Sequence, residues 1–306
     1  MIELVLCTLI WGASFIAQKT GADHFGPFTI NCYRDLMAGA FLLTCICLRD
    51  RVFRRCPPPP PASSFTGGAL SGLCVFAAEL TQQLGIERTS PGVVAFLTTN
   101  YVLLVPVFGI VLGRRAGLPV WIGVVLALLG TYFICLPSSD SSLFTLHFSL
   151  ASGEAWTLLC AVFFAVQILV VDRFARNCDL LFFSMVQVTV AGLVSLPFVF
   201  LPSELSRTSW VDFTAGLPAL LFLGILSSGV AYALQNLGQA KVPAALAAII
   251  ISLEGVFAVL FGWLILGDML TVRQLSGCAL VFVAVLLSQI FSRPGAKFSI
   301  MSGKGV

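Results

Sequence analysis

Apolar runs of about 20 residues recur along the whole chain, and short polar or basic segments separate them. A helix needs about 20 residues to cross the hydrocarbon layer of a bilayer. Backbone groups in lipid must pair within their own segment, so these runs are predicted to be helices. The alternation of apolar and polar positions that a membrane barrel would need is absent from the sequence. Ten helices are predicted, over residues 2–18, 27–48, 65–86, 91–112, 118–136, 151–171, 180–201, 215–237, 243–266 and 271–291.

Composition supports the same fold class, an all-α polytopic membrane protein. Hydrophobic residues make up 58% of the 306 residues and charged residues only 10%, whereas soluble domains carry about 25% charged residues. Most of the ten cysteines lie inside apolar runs, and no CxxC pair occurs. Cysteine in such runs usually acts as a small buried hydrophobe. No metal site, cofactor or catalytic residue is therefore expected, and no nucleic-acid partner.

The basic residues of the loops predict the orientation, because cytoplasmic loops carry an excess of Lys and Arg. With the N-terminus inside, twelve basic residues fall on the cytoplasmic side and four on the other. Given ten helices, we expect both termini in the cytoplasm and the protein in the cell membrane. The twelve are Arg49, Arg51, Arg54, Arg55, Arg114, Arg115, Arg173, Arg176, Lys241, Arg293, Lys297 and Lys304, and the four are Lys19, Arg88, Arg207 and Arg273.

The chain matches itself at a shift of 153 residues. Gln82 falls on Gln235 and Gln83 on Asn236, while the basic Arg88 falls on Lys241. Each half then holds five helices, and an odd number inverts the second half in the membrane. The sequence predicts a first repeat over 1–136, a linker over 137–150, a second repeat over 151–291 and a cytoplasmic tail over 292–306. Inverted repeats place a substrate site near the bilayer midplane, between the halves.

One carboxyl group lies deep in an apolar run. Glu254 is about 11 residues into its predicted helix, hence near mid-depth at about 1.5 Å per residue. An uncompensated charge there costs about 2.5–3.5 kcal/mol on insertion scales. Glu254 is therefore a candidate substrate or proton site, although a protonated or hydrogen-bonded carboxyl that holds helices together fits the same pattern. The repeat places Tyr101 on Glu254, so Tyr101 and its neighbour Asn100 are candidate partners in one cavity.

Two further polar sets are related by the same shift. Glu79, Gln82 and Gln83 share one helix face through their i, i+3 and i+4 spacing, and their equivalents are Tyr232, Gln235 and Asn236. Counted from the predicted helix ends, the first set lies toward the outside and the second toward the inside. We expect them at opposite ends of one substrate path, with hydrogen bonding between helices as the alternative. Arg34 and Asp35, near the start of a helix, are expected to form a structural ion pair.

Three segments resemble the EamA family of ten-helix carriers in the drug/metabolite transporter superfamily: LIWGASFIAQK (9–19), QQLGIERTSPGVVAFLTTNYVLLVPVFGIVLGRR (82–115) and ISLEGVFAVLFGWLILGD (251–268). Arg34 also stands where the family often has an arginine. Gly255 is a departure, because family members usually carry proline there. The resemblance implies alternating-access transport of a small metabolite. It also suggests Trp11 as an aromatic wall of the cavity, with a place in the packed core as the alternative.

The function expected from these observations is secondary active transport, and export is favoured. No GxxxxGK[ST] loop occurs, so a gradient would supply the energy. Scarce arginine within helices disfavours phosphorylated substrates. The aromatic, amide and carboxyl side chains suit amino acids or amphipathic compounds. A proton-coupled multidrug or cation efflux carrier is the alternative, with Glu79 or Glu254 carrying the proton. A membrane-embedded enzyme or a sensor is more remote, since neither HExxH nor GxSxG occurs. Expected partners are the substrate, the bilayer and protons, and a homodimer is a candidate assembly.

Overall fold

The computed structural model describes residues 1–52, 62–89, 91–113, 117–135, 153–175, 178–207, 209–266 and 272–291, and all regular structure in these ranges is helical. Short turns connect the helices where the connection is described. Ten long helical elements follow in chain order: α1 Ile2–Ala22, α2 Pro27–Val52, α3 Ala62–Arg88, α4 (Pro91–Thr98 and Tyr101–Val111), α5 Leu118–Cys135, α6 Gly153–Phe174, α7 Leu180–Phe200, α8 Trp210–Gln239, α9 (Ala244–Ile251, Leu253–Phe261 and Gly262–Leu266) and α10 Val272–Phe291.

Eight of these elements are long and apolar enough to span a membrane, namely α1–α4 and α6–α9. The apolar parts of α5 and α10 are shorter, Leu118–Phe133 and Leu275–Leu287. The protein is thus an all-helical, multi-pass membrane protein. The sequence had predicted ten spans of about 20 residues; eight are confirmed, and α5 and α10 are helices whose described apolar parts are shorter. The proposed linker over 137–150 and tail over 292–306 lie outside the described residues.

Side-chain caps mark the starts of two helices, and one of them moves a start away from the prediction. Ser209 begins α8 five residues earlier than expected: its hydroxyl accepts from the Asp212 amide in a capping box. Asp179 caps α7 by accepting from the amides of Leu181 and Phe182. After the C-terminal end of α4, Gly113 has a φ of 75°. This left-handed conformation favours glycine after a helix.

Two helices are interrupted at equivalent positions. The helix α4 breaks at Thr99–Asn100 and α9 breaks at Ser252, which is 153 residues after Thr99. At both breaks a hydroxyl donates back to its own helix, Thr99 to the Ala95 carbonyl and Ser252 to the Ile249 carbonyl, each at 2.7 Å. Such bonds compete with the regular helical ladder and loosen it. The interruptions lie two residues before Tyr101 and Glu254.

Equivalent contacts also recur where α2 crosses α7. Gly39 of α2 approaches Thr189 so closely that a Cβ atom would overlap the Thr189 side chain, and Gly192 of α7 likewise approaches Leu36. Leu36 and Thr189 are related by 153 residues, as are Gly39 and Gly192. The two helices therefore make the same contact twice. Small residues permit such close helix approach in membranes.

The packing of α1 against α9 can be tested at Gly12, with Gly255 as a control position. A Cβ atom on Gly12 would lie 2.5 Å from Phe257 Cβ and 2.8 Å from the Ala258 backbone nitrogen. We expect Gly12→Ala to lower the stability by about 1–3 kcal/mol, the usual cost of overpacking. Gly255→Ala is the matched control, because its Cβ would meet only Thr131 Cγ2, at an ordinary 3.7 Å. Unfolding midpoints of the purified proteins in detergent measure the difference; equal midpoints would contradict the packing.

Candidate functional site: a cavity between the two halves

A cavity with about 450 Å³ of empty space, counted to its mouth, lies between the first and second halves of the chain. Seven helices, α1–α4, α6, α8 and α9, contribute to its wall. The wall combines aromatic rings, hydroxyls, amides, two carboxyls and one guanidinium. The lining residues are Trp11, Ser14, Phe15, Gln18, Arg34, Glu79, Gln82, Thr98, Tyr101, Phe164, Ile168, Ser227, Tyr232, Gln235, Ile251 and Glu254.

Two tyrosine–glutamate hydrogen bonds cross the cavity between the halves. The Tyr101 hydroxyl donates to Glu254 Oε1 at 2.9 Å, and the Tyr232 hydroxyl donates to Glu79 Oε1, also at 2.9 Å. In both bonds the partners are 153 residues apart. Each residue thus binds its own equivalent in the other half. All four side chains are at most 5% exposed, so both carboxyls depend on buried donors.

Glu79 belongs to a charged network with Arg34 and Asp35. Arg34 Nη2 lies 3.1 Å from Glu79 Oε1, and Arg34 Nε lies 3.9 Å from Asp35 Oδ1. Arg34 also donates to the hydroxyls of Ser228 and Ser227, at 2.9 and 3.3 Å. These serines lie in the π-helical stretch Phe222–Ala231 of α8, a widened helix of the kind often found at functional sites.

Glu254 has different surroundings from Glu79. Its hydrogen bond comes from a neutral phenol, and no basic side chain in the described ranges forms an ion pair with it. Arg34, the only basic residue of the cavity wall, is occupied by Glu79. The two carboxyls of the cavity therefore have matched tyrosine donors but unequal charge compensation.

Aromatic side chains face the cavity from both halves. Trp11 of α1 packs edge-on against Tyr232, with ring centroids 5.2 Å apart, and donates through Nε1 to the Ser227 carbonyl at 3.2 Å. Its equivalent in α6, 153 residues later, is Phe164, which also lines the cavity. The polar edge of Trp11 is thus anchored, and its ring forms part of the wall.

Gln235 of the cavity wall forms a reciprocal amide pair with Gln167 of α6. Gln167 Nε2 donates to Gln235 Oε1 at 3.2 Å, and Gln235 Nε2 donates to Gln167 Oε1 at 3.1 Å. The equivalents of this pair are Ser14 and Gln82, which both line the cavity. They bind elsewhere: Ser14 accepts from Gln18, and Gln82 donates to Thr98. The two equivalent pairs are therefore bonded differently.

Seven of the ten residues predicted from the sequence line this cavity: Glu254, Tyr101, Glu79, Gln82, Tyr232, Gln235 and Trp11. The side chains of the other three do not line the cavity and form hydrogen bonds with groups of nearby helices. Asn100 donates to the carbonyls of Phe96 and Leu97 in its own helix. Gln83 donates to the Gln18 carbonyl of α1, and Asn236 donates to Ser184 and Gln187 of α7.

The expectation that Glu79 and Tyr232 lie at opposite ends of a path was wrong. They are hydrogen-bonded to each other. Both residues lie in the C-terminal half of their helices, α3 from Ala62 to Arg88 and α8 from Trp210 to Gln239, as the prediction had placed them. Position along a helix did not reveal that the two long side chains meet where the helices approach each other.

Sequence reasoning missed nine lining residues: Ser14, Phe15, Gln18, Arg34, Thr98, Phe164, Ile168, Ser227 and Ile251. The repeat could have found several of them. Phe164, Ile168 and Ile251 are 153 residues after Trp11, Phe15 and Thr98, so each pair lines the cavity from both halves. Arg34 was expected to pair with Asp35 alone, yet it lies closer to Glu79. No sequence signal distinguished these two carboxyl partners.

Two helical halves around a shared polar cavity define a class of membrane carriers, and comparison with known proteins agrees. The model of the EamA-like transporter family matches residues 1–136 and 151–290. The chain belongs to this family, within the drug/metabolite transporter superfamily, and carries two EamA repeats. It is therefore a membrane transporter rather than an enzyme.

Individual relatives cover most of the chain. An uncharacterized transporter of Archaeoglobus fulgidus is 29% identical over 289 residues, which are 93% of this chain and 83% of the relative. A chloroplastic WAT1-related protein of Arabidopsis thaliana is 28% identical over 283 residues, 90% of this chain and 66% of the relative. A protein of known crystal structure superimposes with a TM-score of 0.73 at 18% identity, covering 95% of this chain and 96% of that one. That similarity supports the fold.

Removing the cation of the buried network should destabilise the protein. We expect Arg34→Met to cost about 3–5 kcal/mol, because it leaves buried carboxyls without their compensating charge. The double variant Arg34→Met/Glu79→Gln should recover part of this loss, since it also removes one carboxyl. Thermal unfolding in detergent measures both. If Arg34→Met unfolded at the wild-type temperature, Arg34 would not compensate Glu79.

Proposed function

We propose that the protein is a secondary carrier that moves small organic solutes across the cell membrane by alternating access. The observation that carries the proposal is the cavity itself: both repeats build its wall, and it contains a carboxyl, Glu254, whose charge no described basic side chain balances. Ionisable groups deep in a membrane protein usually mark substrate or ion pathways. Broken helices at such a site are also typical of carriers.

The contacts between equivalent residues support an inverted repeat. Residues that bind their own equivalents, as Glu79 binds Tyr232 and Tyr101 binds Glu254, must lie on a two-fold axis. With five helices in each repeat, the axis lies in the membrane plane and the second repeat is upside down. The ten-helix arrangement, the repeat bounds 1–136 and 151–291 and the cytoplasmic location of both termini form part of this proposal.

The unequal bonding of two equivalent pairs supports alternating access. Gln167 and Gln235 bind each other, while their equivalents Ser14 and Gln82 bind other partners. Inverted repeats can exchange conformations, because each adopts the geometry of the other in the opposite state. In the second state the Gln167–Gln235 pair would separate, and Gln82 would approach Ser14. The cavity would then open on the other side of the membrane.

The chemistry of the wall favours a substrate with an ammonium group and an apolar part. Glu254 can accept from an ammonium, and the rings of Trp11, Tyr101 and Phe164 can contact it through their faces. Phosphorylated substrates normally need free Arg or Lys clamps, whereas Arg34 is engaged by Glu79. Amino acids and amphipathic amines are the substrate classes that fit, and export is the proposed direction.

A proton-coupled multidrug or cation efflux carrier is the second candidate. The lack of a basic partner for Glu254 favours it as well, since a proton and a cationic drug could compete for the same carboxyl. The two candidates differ in what they move. An amino-acid exporter transports zwitterions, while a drug pump transports lipophilic cations against a proton gradient.

Flux through purified protein in liposomes tests the proposal. We expect counterflow of an amino acid, and about a tenfold or greater loss of flux in Glu254→Gln, since hydrogen bonds to charged groups contribute about 1.5–3 kcal/mol. Glu87→Gln is the matched control, because Glu87 pairs with Arg207 near the surface. Transport of tetraphenylphosphonium driven by a pH gradient would favour the second candidate. The proposal fails if neither solute moves, or if Glu254→Gln transports like the wild type.

A further inference from the structure

The acidic groups beside Arg34 outnumber the basic ones. Asp35 and Glu79 are 0% and 2% exposed, and Arg34, at 3%, is the only cation paired with them in the described ranges. Two ionised carboxylates and one guanidinium would leave a net negative charge inside the membrane. Such a charge is costly in an apolar environment, and proteins normally neutralise it.

The hydrogen bonds show where the compensation is missing. Glu79 Oε1 accepts from Tyr232 and lies 3.1 Å from Arg34 Nη2, and Asp35 Oδ1 accepts from Ser228 at 2.8 Å. The second oxygen of each group, Glu79 Oε2 and Asp35 Oδ2, is buried without a hydrogen-bond partner. Both carboxyl groups lie at the same guanidinium, with Glu79 Oε1 3.1 Å from Arg34 Nη2 and Asp35 Oδ1 3.9 Å from Arg34 Nε, so the two groups are neighbours. A hydrogen between neighbouring carboxyls would satisfy the free oxygen of each.

We propose that Asp35 and Glu79 form an acid pair that shares one bound proton, with Arg34 balancing the remaining negative charge. The proton satisfies both free oxygens with one O–H···O bond. The network of α2, α3 and α8 is then neutral. Like charges held this close cannot both persist without water, which is why paired carboxyls in other proteins hold a single proton.

The groups that surround the pair are consistent with this balance. Tyr232 of α8 donates to Glu79 and Ser228 of the same helix donates to Asp35. The other titratable groups nearby are the thiols of Cys32 in α2 and Cys160 in α6, both completely buried. Among the residues that the structure describes, Arg34 is the one basic group paired with these carboxyls. A neutral network also leaves Glu254 as the one carboxyl of the cavity that is free to meet a cationic substrate.

Infrared spectroscopy of the purified full-length protein tests the shared proton, because a protonated carboxyl gives a C=O stretching band separate from carboxylate bands. At neutral pH we expect Asp35→Asn to remove one such band that shifts in D₂O. Glu79→Gln should remove the same band, since the remaining carboxyl then pairs with Arg34 as a carboxylate. Glu87→Gln, which alters an ion-paired carboxyl near the surface, should leave the band unchanged.

The proposal is overturned if both Asp35→Asn and Glu79→Gln retain the wild-type intensity of protonated carboxyl. It is also overturned if adding Na⁺ abolishes the band, because the pair would then hold a metal cation. Size-exclusion chromatography identifies variants that fold, and two independent variants guard against the loss of one. The infrared result does not depend on transport, so a failure of the carrier function would be seen separately, in the flux measurement.

Discussion

Burial of carboxyl groups far from water is the constraint on which the centre of this protein depends. Glu79 and Glu254 each require a donor inside the helix bundle, and in each case the donor is a tyrosine from the opposite half. Because each carboxyl binds its own equivalent, the two halves must meet at these points. The crossing of α2 and α7, with its doubled glycine contact, obeys the same relation. The central packing of the two repeats can be understood as the arrangement that satisfies these buried groups.

The broad fold could be predicted from the sequence because hydropathy acts locally. Length and apolarity define membrane helices. The 153-residue repeat could be recognised because Gln82 and Gln83 match Gln235 and Asn236. The same shift paired Tyr101 with Glu254, and these residues are in contact. The start of α8 was less predictable, since it depends on the cap at Ser209. The contact between Glu79 and Tyr232 was missed because position along a helix does not show which side chains of two neighbouring helices meet.

Other parts of the site could not be predicted from hydropathy, because they depend on which of several acceptors a side chain reaches. Asn100 was expected in the cavity, yet it donates to two carbonyls of its own interrupted helix. Asn236 similarly turns toward α7. Arg34 had two adjacent carboxyls within reach of its long side chain, and the wider π-helical turn of α8 supplied the serines that fix its position. Such choices are decided by packing between helices that are distant in sequence.

The inequality between the halves bears most directly on selectivity. The equivalent of Arg34, 153 residues later, is Gln187, and Gln187 accepts from Asn236, which is the equivalent of Gln83 rather than of Glu79. The ion pair of the first half therefore has no counterpart at these positions, where two amides bind each other instead. Alternating access through inverted repeats requires the backbones to be equivalent, but it does not require equivalent charges. The side chains can therefore neutralise Glu79 and leave Glu254 without a cation among the described residues, so that the polarity of the cavity is set by residues that the symmetry leaves free to differ.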